Sequence, residues 1–219
     1  MLTTSAIGDN LVKKPILLAL SKLTRNFLVF RGLPVRELLE NSRIVSEFIK
    51  ESLLHENRSV WIAQREGRTK DGLDATHTGV LKMLAMAKDG PNEMEYLKKI
   101  KIVPVSISYE YDPTDVLKMP ELMAKSRAEV YVKSKNEDFI TLANGIIGQK
   151  KRIHIHVGKV IDKEIDDILA KQPYVGKQFI ALGEVIDRAI LENYKLWPTN
   201  YIAHDLFYRS NEFESFYTA

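Results

Sequence analysis

The chain has no cysteine among its 219 residues. That excludes disulfides, cysteine nucleophiles and thiolate metal sites, and it fits a reducing, cytoplasmic setting. Long apolar runs are missing as well: none reaches the roughly 18–20 residues of a membrane span, so any membrane contact is expected to be peripheral. The opening MLTTSAIGDNLVKK has no apolar stretch after a basic start and does not read as a secretory signal. A strong charge of either sign is also absent, with a net of only +3 from 28% charged residues. This balance argues against a disordered acidic chain and gives no reason to expect nucleic acid, while remaining compatible with phosphorylated substrates or anionic lipids. No G-x-G-x-x-G and no P-loop glycine-lysine pattern occurs, which weakens a nucleotide-binding reading. There is no internal repeat and no low-complexity tract.

What is present is a 45% hydrophobic chain, long enough to bury one substantial core. Short β-rich runs alternate with longer helical ones. The pattern predicts a helix over 11–24, capped by Asn10, with Pro15 in its first turns where a missing N–H matters least. It predicts strands over 26–31, 59–64, 101–109 and 151–160, and an amphipathic helix over 36–54. Further helices are expected over 78–88, across 114–149 with a break near Pro120, and over 162–171 and 175–194. Strands separated by helices need crossover connections, so the expected fold is α/β, a mostly parallel sheet flanked by helices. Ligands of such sheets sit where loops leave the carboxyl ends of strands.

The loop after 59–64 stands out on that criterion. Gln64-Arg65-Glu66-Gly67-Arg68-Thr69-Lys70-Asp71-Gly72 gathers two arginines and a lysine around a glycine. Gly67 lets backbone approach a ligand closely, and guanidinium groups match phosphate oxygens with paired hydrogen bonds. The same composition also suits a solvated charged turn.

VWIAQREGRTKDG resembles the third motif of the glycerolipid (lysophosphatidate-type) acyltransferases, F-P-E-G-T-R-S. Glu66 and Gly67 fall on its Glu-Gly, whereas Arg68 and Thr69 meet its Thr-Arg in swapped order or one position out of step. Gln64-Arg65 replaces its Phe-Pro, which leaves open which arginine holds the phosphate. NFLVFRG, ending on Arg31 and Gly32, resembles the second motif, and KIVPVSIS the fourth, with Pro104 on its proline. IGDNLVKKP and HIHVGKVID resemble stretches before the second motif and at the close of the catalytic domain. AIGDNL, IAQREGR, YEYDP and NYIAHDL are similar to a bacterial glycerol acyltransferase subset of that family.

The resemblance implies a glycerol-3-phosphate acyltransferase-like layered fold lacking its first elements. It implies a partial acyltransferase domain over 1–161 and a helical extension over 162–219 that packs on the same domain. It implies phosphate binding by Arg31, Glu66, Gly67 and Arg68, with Glu66 orienting an arginine or the loop and Pro104 shaping its strand. Phe27, Val29 and Trp61 would be available to line an acyl groove or to fill the core. The implied reaction is acyl transfer from acyl-CoA or acyl-carrier protein to a glycerophosphate or lysophospholipid acceptor, as in phospholipid biosynthesis. No metal or organic cofactor is implied beyond that acyl donor, and the substrate class implies a cytoplasmic protein with peripheral contact on the inner membrane face.

One element of that family is missing. Its general base is the histidine of a His-x4-Asp motif, which in the family lies upstream of the residues matched here. The five histidines, His55, His77, His154, His156 and His204, are followed five positions on by Val60, Lys82, Lys159, Ile161 and Arg209, never Asp. No residue of this chain is therefore assigned as catalytic. His77 follows the loop but fits a helix start, His55 ends a helix, and His204 merely adjoins Asp205. His154 and His156 share one strand face without a third metal ligand in view. A positioned base contributes roughly 10²- to 10⁴-fold, so turnover by this chain alone should be low. The alternative is a non-catalytic phosphate- or lipid-binding module built on the same fold.

Overall fold

In the computed structural model, residues 2–30, 32–65 and 74–218 are described. From the N-terminus come β1 (Thr3–Gly8), α1 (Pro15–Leu23), β2 (Asn26–Val29), α2 (Val35–Leu54), β3 (Ser59–Trp61), α3 (Thr78–Ala85) and α4 (Glu93–Lys99). Then follow β4 (Val105–Tyr109), α5 (Asp115–Ser126), α6 (Glu137–Ile147), β5 (Ile153–Val157), α7 (Asp162–Lys171), α8 (Val175–Glu192) and α9 (Pro198–Tyr208). Short 3-10 turns cover Asp9–Leu11 and Glu214–Phe216. The architecture is mixed α/β, predominantly helical, with a small parallel sheet flanked by helices. No helix among the described residues is long and apolar enough to cross a membrane. The described chain divides into two compact units, one from 2–65, 74–103 and 159–188, the other from 104–158 and 189–218.

The first unit contains a three-stranded sheet in the order β2-β1-β3, with both outer strands parallel to β1. Gly8 pairs with Val29 on one side, and Ser5 with Trp61 on the other. β1 was not expected from the sequence. TTSAIG has β-branched Thr3, Thr4 and Ile7 but no aromatic residue and no long apolar run, and it is held by ladder bonds on both sides. The helices supply the apolar core. Val45 and Ile49 of α2, Leu81 and Leu84 of α3, and Met94 and Leu97 of α4 are buried, as are Ile165 and Ile168 of α7 and Phe179, Leu182 and Ile186 of α8. Ser46 joins two of these helices: its hydroxyl donates to the Leu84 carbonyl and accepts from the Ala87 N–H, both at 2.9 Å. α4 is too short to show a periodic stripe, but Asn92 caps it, accepting from the N–H groups of Met94 and Glu95 at 2.9 and 3.2 Å.

Several expected boundaries move. Asn10 lies in a 3-10 turn and does not cap α1, which begins at Pro15 after Lys14. Pro15 therefore occupies the first helical position, where its fixed φ is suited and no hydrogen bond is forfeited. Pro120 lies inside α5 and does not end it. The break between α5 and α6 comes later, where Ala128 and Asn136 adopt φ of 55° and 67°.

In the second unit, β4 and β5 form a two-stranded antiparallel sheet, so these two strands do not extend a parallel one. The partners run Val105–Val157, Ser106–His156, Ile107–Ile155, Ser108–His154 and Tyr109–Ile153. Serines and histidines thus share one face, and apolar side chains the other. Ser106 and Ser108 are each 1% exposed, whereas Ile153, Ile155 and Val157 are 50%, 59% and 66% exposed. Arg152 makes a two-pronged ion pair with Glu110 at 2.9 and 3.2 Å, and its guanidinium lies 4.9 Å from the Trp197 ring centre. Behind α9, Asp205 gathers the C-terminal segment. It accepts from the Ser210 hydroxyl at 2.7 Å, the Phe213 N–H at 2.9 Å and the Tyr217 hydroxyl at 3.0 Å.

Candidate functional site at the carboxyl edge of the parallel sheet

Because β1, β2 and β3 are parallel, their carboxyl ends emerge at one edge of the sheet. The chain passes from β1 to β2 on one side and then to β3 on the other, so the strand order reverses about β1. Such a switch point opens a crevice between the loops leaving adjacent strands, where ligands of open α/β sheets bind. The described segments at this edge are Asp9–Leu11 after β1, Phe30 and 32–34 after β2, and 62–65 after β3.

Of the residues singled out by sequence, Arg31, Glu66, Gly67 and Arg68 lie outside the described residues. Their flanks are described. Arg31 follows β2 by two positions, and Glu66 follows β3 by five. Both candidate segments therefore leave strands that neighbour β1, one on each side.

The described residues flanking 66–73 are brought together by a set of short bonds. The Gln64 side-chain amide donates to the Asp74 carbonyl, and the His77 N–H to the Gln64 carbonyl, each at 2.9 Å. The Arg65 guanidinium lies 3.3 Å from the Asp74 carboxylate, which offsets part of its charge. Further anchoring comes from α8, where Asp187 accepts from the Thr76 N–H at 2.8 Å and its hydroxyl at 2.5 Å. Sequence inspection did not reveal Asp74, Thr76 and Asp187 in this role. The first two follow the loop closely, but Asp187 is 111 positions from Thr76 and carries no local signal.

His77 sits at the N-cap of α3 and is exposed, as its reading as a helix start implies. Its imidazole lies against Gly79, where a Cβ would come within 2.8 Å of Nδ1. His55 ends α2. His154 and His156 are half-buried in β5, opposite Ser108 and Ser106. The His204 Nδ1 is 3.4 Å from Asp205, whose carboxylate is already engaged by the C-terminal segment. Burial works to raise the Asp205 pKa, but hydrogen bonds from Ser210, Phe213, Tyr217 and His204 prevail and hold it below the usual carboxylate value. That environment suits a structural anion. Among the described residues no cluster of three or more acidic or histidine side chains could hold a metal ion.

Pro104 is buried immediately before β4 in the second unit. Its carbonyl accepts from the Gly158 N–H at 2.9 Å, and a Cβ on Gly158 would come within 2.9 Å of that oxygen. Phe27 is half-buried and packs on Phe48 with ring centres 5.1 Å apart, and Val29 is also half-buried. Trp61 remains 45% exposed at the end of β3.

No family model, no curated protein and no solved structure matches the chain.

Proposed function

We propose that this chain is a glycerolipid acyltransferase-type domain that binds a glycerophosphate or lysophospholipid headgroup at the carboxyl edge of its parallel sheet. The observation that carries this reading is the β2-β1-β3 order. Segments resembling the second and third acyltransferase motifs begin on the two strands that flank β1, and these strands, being parallel to β1, end at one edge. Arg31 and Arg68 would pair with phosphate oxygens, Gly67 would admit the ligand to backbone N–H groups, and Glu66 would orient an arginine. The bonds among Gln64, Arg65, Asp74 and His77, which join the flanks of 66–73, support this reading. The finer architecture implied is the layered fold of that family.

The reaction class is acyl transfer from acyl-CoA or acyl-carrier protein, and the chain carries no His-x4-Asp to deprotonate the acceptor hydroxyl. Headgroup binding should therefore be better preserved than turnover. That absence also favours the second reading, a phosphate- or lipid-binding module without catalysis. Calorimetry with glycerol 3-phosphate and a short-chain lysophosphatidate tests binding, and a thioester-release assay on the same protein separates the two readings. Arg31→Ala and Arg68→Ala should each weaken headgroup binding by about 10- to 100-fold, the worth of a charged hydrogen bond. Equal affinity for phosphate-free monoacylglycerol, or no effect of either substitution, would refute the assignment.

A further inference from the structure

α1 is turned the wrong way for a helix that serves only the core. Its inner side is fixed: Ser21 is buried and donates to the Leu18 carbonyl, while the Asn26 side chain donates to the Ser21 carbonyl at 3.1 Å and the Thr24 hydroxyl at 2.7 Å. The Arg25 carbonyl is tied to the Ser5 N–H of β1 at 3.2 Å. The opposite side carries Ile16, Leu20 and Leu23, spaced to fall on one stripe and exposed by 68%, 52% and 79%. Along the chain, the charge that flanks that stripe has one sign. From Asn10 to Arg36 there is no Asp or Glu, and Lys13, Lys14, Lys22, Arg25, Arg31 and Arg36 all fall within the same span. Lys13, Lys22 and Arg25 are exposed, and among the described residues none has a carboxylate partner.

We propose that α1 docks the protein on an anionic lipid surface, with Ile16, Leu20 and Leu23 entering the acyl–headgroup boundary and Lys13, Lys22 and Arg25 meeting the headgroups. An apolar stripe fringed by unpaired cations is the pattern that binds such a boundary, where apolar burial and attraction to anionic lipid reinforce each other. A second copy of this helix suits the stripe poorly, because it would bring two uncompensated basic fringes together. The inference rests on the lipid-headgroup reading for its choice of partner, but the residues that carry it are separate from Arg31 and Glu66–Arg68.

The test is co-sedimentation of the full chain with phosphatidylcholine vesicles, with and without phosphatidylserine. Phosphatidylserine should raise the bound fraction, added salt should lower it, and Lys13→Glu with Lys22→Glu should reduce binding by roughly fivefold or more per charge. Leu20→Glu with Leu23→Glu should abolish it while leaving the circular dichroism spectrum unchanged, since both side chains are solvent-facing. Vesicle-free binding of glycerol 3-phosphate should be unaltered in these variants. Equal binding to neutral vesicles, or α1 variants that sediment like the parent, would overturn the inference. A stripe that instead drives self-association, seen as a mass doubling abolished by Leu20→Glu with Leu23→Glu, would overturn it too. Headgroup binding without vesicle binding would defeat the docking helix and leave the proposed function standing; the reverse would do the opposite.

Discussion

The most deeply buried side chains of the first unit include Ile49, Met94, Leu97, Ile165 and Leu182, whereas those of the second are Ser106 and Ser108. Among the described residues, every buried aliphatic or aromatic side chain except Pro104 and Trp197 belongs to the first unit. The second exposes Ile146, Ile147, Ile155, Val157, Leu206 and Phe207, each by more than half. Its cohesion rests more on polar contacts: the Arg152–Glu110 pair, the Asp205 cluster, and the Thr199 hydroxyl that donates to the Glu110 carbonyl at 3.0 Å. Apolar burial is the main favourable term in folding, and polar contacts contribute far less net stability each. The two units should therefore respond differently to truncation, acid and denaturant.

The largest effect is expected in the apolar core. Leu97→Ala removes a side chain with 0% exposure and should destabilise the first unit by about 2–5 kcal/mol, read from urea unfolding. A loss below about 1 kcal/mol would mean that this core is not packed as described. Ser46→Ala comes next. It leaves the Leu84 carbonyl and Ala87 N–H without their buried partner, at about 1–3 kcal/mol.

Acid should weaken the second unit through Asp205. Its folded pKa is depressed, so its contribution is present above the unfolded value near about 3.9 and is lost as pH falls through the lower folded one. Trp197 fluorescence in a Trp61→Phe background reports on that unit. Its urea midpoint should fall on going from pH 5 to pH 3, and Asp205→Asn should flatten that dependence while lowering the midpoint at pH 7. A slope unchanged by the substitution would place the acid sensitivity elsewhere. The smallest effect belongs to Ile155→Ser. With 59% of Ile155 already exposed, stability should stay within about ±0.5 kcal/mol. A loss comparable to Leu97→Ala would show that this face is covered in solution and would erase the contrast between the units.

Helices were legible where their apolar spacing is long and regular. The 36–54 and 162–171 readings agree with α2 and α7 to within a residue, because their hydrogen bonds join neighbours along the chain. Short elements escaped: α4 has seven residues, and α9 starts at Pro198 without a strong apolar stripe. For the candidate site, the basic loop after β3 was visible as composition, and the position of β3 beside β1 was not. The same holds for Asp187, which meets Thr76 only because α8 returns to the base of that loop.

The amino-acid order alone determined the helical periodicity, the absence of thiol chemistry and of His-x4-Asp, and the basic stretch without an acid from Asn10 to Arg36. Tertiary structure decided which strands pair, in which direction, and which side of each element meets solvent. IHIHV has the alternation of a strand under either choice of face. Only packing turned its histidines inward with Ser106 and Ser108 and left Ile153, Ile155 and Val157 outside. Alternation depends on each residue's immediate neighbours, whereas the choice of buried face depends on partners distant in the chain.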